Sequence, residues 1–333
     1  MTATNNNLPW QEPGWLDKVK AWIRDQLSTH GWIATSEFEL IRQRAWSAFG
    51  RISTDQGVLY FKSPAPPFFE ADLTRTIARW RADCIVPLVA VDPETGWLLS
   101  KETGVTLRSL GQTFDQVRHW LKILPFYAQF QMDMADHLQE LLACGVYDRR
   151  PHKLPGLFST LLQAGDSLRV GLQPGLTVKE YHQLDALTPR LSSWCRQLAD
   201  YGIPATLTHE KVHDANVLVS RDGYIFTDWS DSSIAHPFFS LLVTLRTLVH
   251  WLKMDEHGPE IRRLLETYLE PWRFYAPRRD LMEAYKIAER LGMLNRALSW
   301  HYSLENVPKE LKIENADAVP EWLQDFLQAS QSV

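Results

Sequence analysis

Residues 208 to 239 read THEKVHDANVLVSRDGYIFTDWSDSSIAHPFF. A charged and polar run, His209 to Asn216, leads into a short apolar run, Val217 to Val219. The turn Ser220-Arg221-Asp222-Gly223 follows, then a second apolar run, Tyr224 to Phe226, and Asp228. Apolar runs on either side of an Asp-Gly turn predict a β-hairpin. Asn216 precedes the first arm and Asp228 follows the second, so the hairpin carries both to one end. An amide oxygen and a carboxylate are hard oxygen ligands, suited to Mg²⁺ on a nucleotide phosphate.

This segment resembles the catalytic loop and metal-binding Asp of kinases, in which an Asp precedes an Asn by five residues and a second Asp follows on the next hairpin arm. The form most similar to it is that of the aminoglycoside phosphotransferase and choline kinase family. Its pattern is His-Gly-Asp-x-His-x-x-Asn followed by Ile-Asp-Trp, and His209, His213, Asn216, Asp228 and Trp229 fall on it. Ala235-His236-Pro237-Phe238-Phe239 is similar to the family's Gly-His-Pro-x-x-Asp segment, with Ser240 where an acid is usual. The resemblance implies Mg²⁺ on Asn216 and Asp228. It also implies ATP or GTP as phosphate donor and a small-molecule hydroxyl as acceptor.

The chain departs from that pattern at its centre. The family's catalytic Asp falls at position 211, occupied by Lys211, and Glu210 replaces the neighbouring Gly. An Asp there accepts or orients the proton of the substrate hydroxyl, which an ammonium cannot do. Lys211 admits three readings. It disables transfer and leaves a nucleotide-binding protein, it pairs with the γ-phosphate electrostatically, or it is a sequence variant. Asp214 is near but out of register with Asn216. His209 and His213 read as hydrogen-bonding anchors of the loop. His209, Lys211 and Asp214 are thus the loop residues expected at the reacting centre, with Asp231 as a substrate carboxylate or a turn cap.

The rest of the chain is consistent with two lobes. With 333 residues it can bury a large core, and 45% hydrophobic with 23% charged residues is ordinary for a folded protein. A net charge of −5 gives no reason to expect nucleic acid, and a cationic acceptor is compatible with a mildly acidic surface. Cys84, Cys144 and Cys195 are scattered and odd in number, which argues against disulfides and metal spacing. The opening MTATNNNLPW lacks a signal-peptide pattern. The apolar stretch from His236 to Leu252 contains Arg246 and His250 and reads as a buried helix, not a membrane span. A cytoplasmic location is expected, and the oligomeric state is left open.

Trp15, Val19, Trp22, Ile23 and Leu27 predict a helix, with Pro13 early in its first turn and Gly31 closing it. Phe38 to Arg44, Trp46 to Ile52 and Val58 to Phe61 predict three strands. Lys62 ends the third and is similar to the family's phosphate-binding lysine. Glu70, near the start of the next helix, is the best match to the glutamate that orients it, with Asp72 as an alternative. No glycine-rich phosphate loop is present, which leaves Ser47 or the backbone of residues 43–50 as phosphate contacts. Val86 to Val91 and Trp97 to Leu99 predict two further strands. Residues 100–104 fall at the family's interlobe hinge.

Beyond residue 114 the pattern is helical. Phe114 is placed on the buried face of a helix that Pro125 kinks or breaks, and a later helix is interrupted at Pro189. Further helices are expected at 239–252, 260–269, 280–291 and 321–327. The acids Glu305, Glu310, Glu314, Asp317, Glu321 and Asp325 read as a solvated face or a site for a polyamine-like substrate. The expected fold is α+β and protein-kinase-like. A small β-rich nucleotide-binding lobe covers 1–104, and a mainly helical lobe, 105–333, carries the catalytic loop and metal-binding hairpin.

Overall fold

A computed structural model describes residues 8–305 and 307–331. The chain divides into two compact units. The first comprises the residues up to Val105 with Leu218–Ser230 and Ser303–Glu314, and the second comprises Thr106–Val217, Asp231–Tyr302 and the residues from Asn315.

The first unit begins with α1 (Trp15–His30), closed by Gly31 in the left-handed conformation at φ 66°. Pro13 lies just ahead of the helix, because Gly14 is the N-cap. Five strands follow: β1 (Glu39–Gln43), β2 (Ser47–Thr54), β3 (Gly57–Pro64), β4 (Leu88–Asp92) and β5 (Trp97–Lys101). They form one antiparallel sheet in the order β1-β2-β3-β5-β4. The helix α2 (Phe69–Ala78) joins β3 to β4. Trp15, Val19, Ile23 and Leu27 of α1 pack with Leu59 and Phe61 of β3 and with Trp97 and Leu99 of β5. Successive strand residues face opposite sides. Burying Phe61 beneath α1 therefore turns Lys62 to the other face of the sheet.

The hairpin Val217–Val219 to Tyr224–Phe226 returns through Ser220, whose backbone N–H donates to the Gly223 carbonyl at 2.9 Å. Gly104 runs against it within this unit. A Cβ there would lie 2.2 Å from the Val219 carbonyl oxygen, and its φ is +64°. Only glycine fits.

The second unit is mainly helical around a small three-stranded sheet. In that sheet Ser233–Ala235 lies between Tyr147–Asp148, in parallel, and Thr206–Thr208, antiparallel. Trp120, Tyr127, Phe130, Phe158, Phe238, Phe239, Tyr268 and Trp272 fill the core. The helix Gln116–Met134 continues through Pro125. The proline removes one hydrogen bond, but buried Trp120, Ile123, Leu124, Tyr127 and Ala128 on both sides hold the helix together. Phe114 precedes this helix and is 59% exposed, not on its core face. The break at Pro189 falls as expected, between Val178–Ala186 and Thr188–Asp200. The helix predicted for 280–291 is longer, Arg278–Glu305. Glu305, Glu310, Glu314 and Glu321 are exposed, and Asp325 pairs with Arg246 at 2.5 Å, so this acidic run is a solvated face. No helix among the described residues is long and apolar enough to cross a membrane.

Candidate active site

In the first unit three predicted residues meet. The Lys62 ammonium donates to Glu70 Oε1 at 2.6 Å and to Asp228 Oδ1 at 2.7 Å. Lys62 is brought there by the strand alternation, Glu70 by the first turn of α2, and Asp228 by the hairpin's second arm. Glu70 Oε1 also accepts from the Trp229 backbone N–H at 2.9 Å, which ties α2 to the residue after Asp228. The Trp229 ring is buried, donates to the Phe226 carbonyl at 3.0 Å and meets the Phe226 ring edge to face. Burial disfavours the charged lysine, but the Asp228 and Glu70 carboxylates more than offset it, so the pKa of Lys62 is raised.

Asp228 sits at φ 67°, a conformation costly for a residue with a Cβ. Its side chain remains about a third exposed. Arg42, which follows the register shift in β1, lies within electrostatic reach of Asp228. Burial and then Arg44 lower its pKa, while Asp228 opposes them. Ser47 is buried at the start of β2, where its carbonyl accepts from Arg44 N–H at 2.9 Å.

In the second unit the strand Thr206–Thr208 delivers the 209–216 loop. His209 is fully buried. Its N–H donates to the Tyr127 hydroxyl at 3.0 Å, and its Nδ1 accepts from Lys211 N–H at 3.3 Å. Asn216 Nδ2 donates to the Lys211 carbonyl at 3.1 Å and lies 3.4 Å from His213 Nε2. These contacts hold the Asn216 amide nitrogen against the loop. Asp214 is directed elsewhere. Arg108 Nη2 and Gln112 Nε2 donate to its two oxygens at 2.7 and 2.9 Å. Burial pushes its pKa up, but those bonds prevail and lower it.

Position 211 belongs to a cluster of charges. The Lys211 ammonium and Arg296 Nη1 each lie 3.5 Å from Asp231 Oδ2. Glu210, next to Lys211, is 1% exposed and sits at φ 66°. Its Oε1 accepts from Thr208 Oγ1 at 2.6 Å and Ser233 Oγ at 2.5 Å, and its Oε2 accepts from Asn295 Nδ2 at 2.5 Å. Burial lowers the pKa of Arg149, an effect Glu210 opposes, and its guanidinium packs against the rings of Tyr147 and Tyr302. Asn295, Arg296, Arg149, Arg108, Gln112 and Arg42 were not predicted. Each is a long way in sequence from the loop it serves, or carries no motif.

No family model matches the sequence, and no curated protein sequence matches it. Solved structures do. The structure is similar to a choline/ethanolamine kinase family protein from Mesorhizobium loti at a TM-score of 0.55 and 15% identity, covering 96% of this chain and 99% of that one. It is similar to a choline kinase from Cryptosporidium parvum at a TM-score of 0.57 and 10% identity, covering 97% and 93%. It is also similar to a macrolide 2'-phosphotransferase from Brachybacterium faecium at a TM-score of 0.52 and 16% identity, covering 90% and 97%. What the chain shares with these proteins is the protein-kinase-like fold, with a small antiparallel-sheet lobe and a larger helical one. That is the fold the 208–239 resemblance implies.

Proposed function

We propose that this protein binds a nucleoside triphosphate with Mg²⁺ and transfers its γ-phosphoryl group, slowly, to a hydroxyl of a small molecule. The observation that carries this reading is the buried Lys62–Glu70 pair joined to Asp228. A lysine held by a glutamate and facing a carboxylate is a poor way to gain stability, because burying the charges costs much of what their attraction returns. It is a good way to hold a cation ready for phosphate. On this reading residues 1–104 bind the nucleotide and 105–333 supply the acceptor side and the loop.

Lys62 exchanges Asp228 for the α/β-phosphates while Glu70 keeps its ammonium in place. Arg42 adds positive charge near the end of β1, ahead of a β1–β2 connection that has no glycine-rich loop. Asn216 and Asp228 are the residues that would hold Mg²⁺, since hard oxygens completed by phosphate and water suit that ion. When bound, the ion neutralises charge developing on the phosphate oxygens. Cytoplasmic ATP is the favoured donor, with GTP as its alternative.

Position 211 lacks a proton acceptor, and Asp231 is engaged by two cations. Phosphoryl transfer rests mainly on positioning and charge, so losing a general base slows it by about 10²–10⁴-fold. The contact between Lys211 and Asp231 favours a second reading, a nucleotide-binding protein without transfer. Radiolabelled γ-phosphate transfer to a panel of amino-alcohols, amino-sugars and macrolides separates the two. We expect slow transfer by the native chain and a gain of about 10²–10⁴-fold in Lys211→Asp. Nucleotide binding with no transfer by either protein supports the second reading.

A further inference from the structure

Arg296 stands on the long helix Arg278–Glu305, one residue after Asn295, whose Nδ2 donates to Glu210 Oε2 at 2.5 Å. That bond fixes the helix against the 209–216 loop and sets Arg296 beside position 211. The Arg296 side chain is 7% exposed. A guanidinium buried to this degree ordinarily spends its five N–H groups on bonds of about 2.7–2.9 Å. Arg296 makes none so short. Its Nη1 reaches the Glu210 carbonyl oxygen and Asp231 Oδ2, both at 3.5 Å, the limit of a hydrogen bond. Its Nε is buried without a partner. Its Nη2 makes no hydrogen bond among the described residues and, unlike Nε, is not sealed from solvent.

Two further groups complete the cluster. The Lys211 ammonium lies 3.5 Å from the same Asp231 oxygen, and both side chains are more open than that of Arg296. Lys211, Arg296 and Asp231 together carry one net positive charge at neutral pH. Behind them the Glu210 carboxylate already accepts from Thr208, Ser233 and Asn295, and buried Arg149 adds a further guanidinium. The chain's net charge of −5 allows a cationic acceptor, but an amine arriving here would meet a guanidinium and an ammonium at close range. A carboxylate would give Arg296 Nη2 the short, charge-assisted bond that it lacks and would be attracted to Lys211.

We propose that the acceptor is a small hydroxy acid, its carboxylate bound by Arg296 Nη2 and the Lys211 ammonium beside the reacting hydroxyl. The inference rests on the transfer reading above. The acceptor's hydroxyl oxygen bonds to the γ-phosphorus as the bond from that phosphorus to the bridging oxygen breaks. The nucleoside diphosphate leaves with the electron pair, and the hydroxyl proton passes to water. Arg296 sets the specificity for an anionic acceptor.

The test uses three six-carbon polyols that differ at one end: gluconate with a carboxylate, sorbitol with a hydroxymethyl group and glucamine with an ammonium. Each is titrated calorimetrically into the full chain without nucleotide, and each is offered as acceptor of radiolabelled γ-phosphate from Mg-ATP. We expect saturable gluconate binding, roughly tenfold or more tighter than that of sorbitol or glucamine, and the same order in kcat/KM. Arg296→Gln should bring gluconate to the level of sorbitol, whereas Arg296→Lys, which keeps the charge, should retain part of the preference. Melting curves separate lost recognition from lost folding. Should Arg296→Gln not fold, Lys211→Gln, at a more open position, must still narrow the gap between gluconate and sorbitol. Equal binding of gluconate and sorbitol by the native chain, tighter binding of glucamine, or a preference that survives these substitutions would overturn the proposal. Mg-ATP binding without a gluconate preference overturns this inference alone. A gluconate preference without Mg-ATP binding supports the carboxylate site and removes the transfer reading.

Discussion

Glu210 occupies a backbone conformation that suits glycine, the residue the family resemblance places there. For a residue with a Cβ, the left-handed region costs roughly 1–2 kcal/mol. Three side chains, Thr208, Ser233 and Asn295, donate to its buried carboxylate and offset that strain. Glu210→Ala keeps the strain and leaves three buried donors without their acceptor. It should destabilise the protein by about 2–4 kcal/mol in denaturant unfolding. An unchanged midpoint would mean that the network is replaced by water. Asp214 makes a prediction about pH. Its folded pKa is lowered by Arg108 and Gln112, so it binds its proton less readily folded than unfolded. The resulting stability is complete above the unfolded carboxylate value of about 3.9 and is lost as pH falls through the lower folded value. The stability gap between native protein and Asp214→Asn should therefore close on acidification. A gap independent of pH would contradict this account. Neither role was legible in the sequence, because the residues that define them lie far away along the chain.

At the scale of elements the sequence was more informative. The alternation of Val58 to Phe61, the Asp-Gly turn and the spacing of Trp15, Val19 and Ile23 report local preferences and one-sided burial, and these produce β3, the hairpin and α1. Lys62, Glu70 and Asp228 could be picked out because each sits at a fixed place on such an element. The misreadings have one cause, which is packing that outweighs a local signal. At Pro125 the break, one of the two outcomes expected there, does not occur. Buried aromatics on both sides outweigh a residue that costs a helix interior about 3 kcal/mol. Pro125→Ala restores a backbone donor, at the cost of greater freedom in the unfolded chain. It should raise stability by about 1–2 kcal/mol, measured by denaturant unfolding, whereas a loss would show that the helix bends to use the proline. Arg278–Glu305 runs past its predicted end for a related reason, since the polar Asn295 and Ser299 are buried beside Glu210 and Arg149.

On the scale of the whole molecule, the proposed function asks each unit for part of one chemistry. The first holds a charged lysine between two carboxylates, and the second holds a loop with Lys211 where the resemblance places an Asp. The central claim is that the carboxylate of Asp228 and the ammonium of Lys62 exist to take Mg²⁺ and phosphate, whatever the fate of the γ-phosphoryl group. Any ligand that binds only the folded state raises its stability by mass action, and by about 2.7 kcal/mol at a hundred times its dissociation constant. The most direct test is calorimetric titration of ATP, with and without Mg²⁺, into the native chain, Asp228→Ala and Lys62→Ala. The account predicts Mg²⁺-dependent binding by the native protein, weakened at least tenfold in both variants. Absence of binding by the native chain, or binding indifferent to Mg²⁺ and to both substitutions, would contradict it.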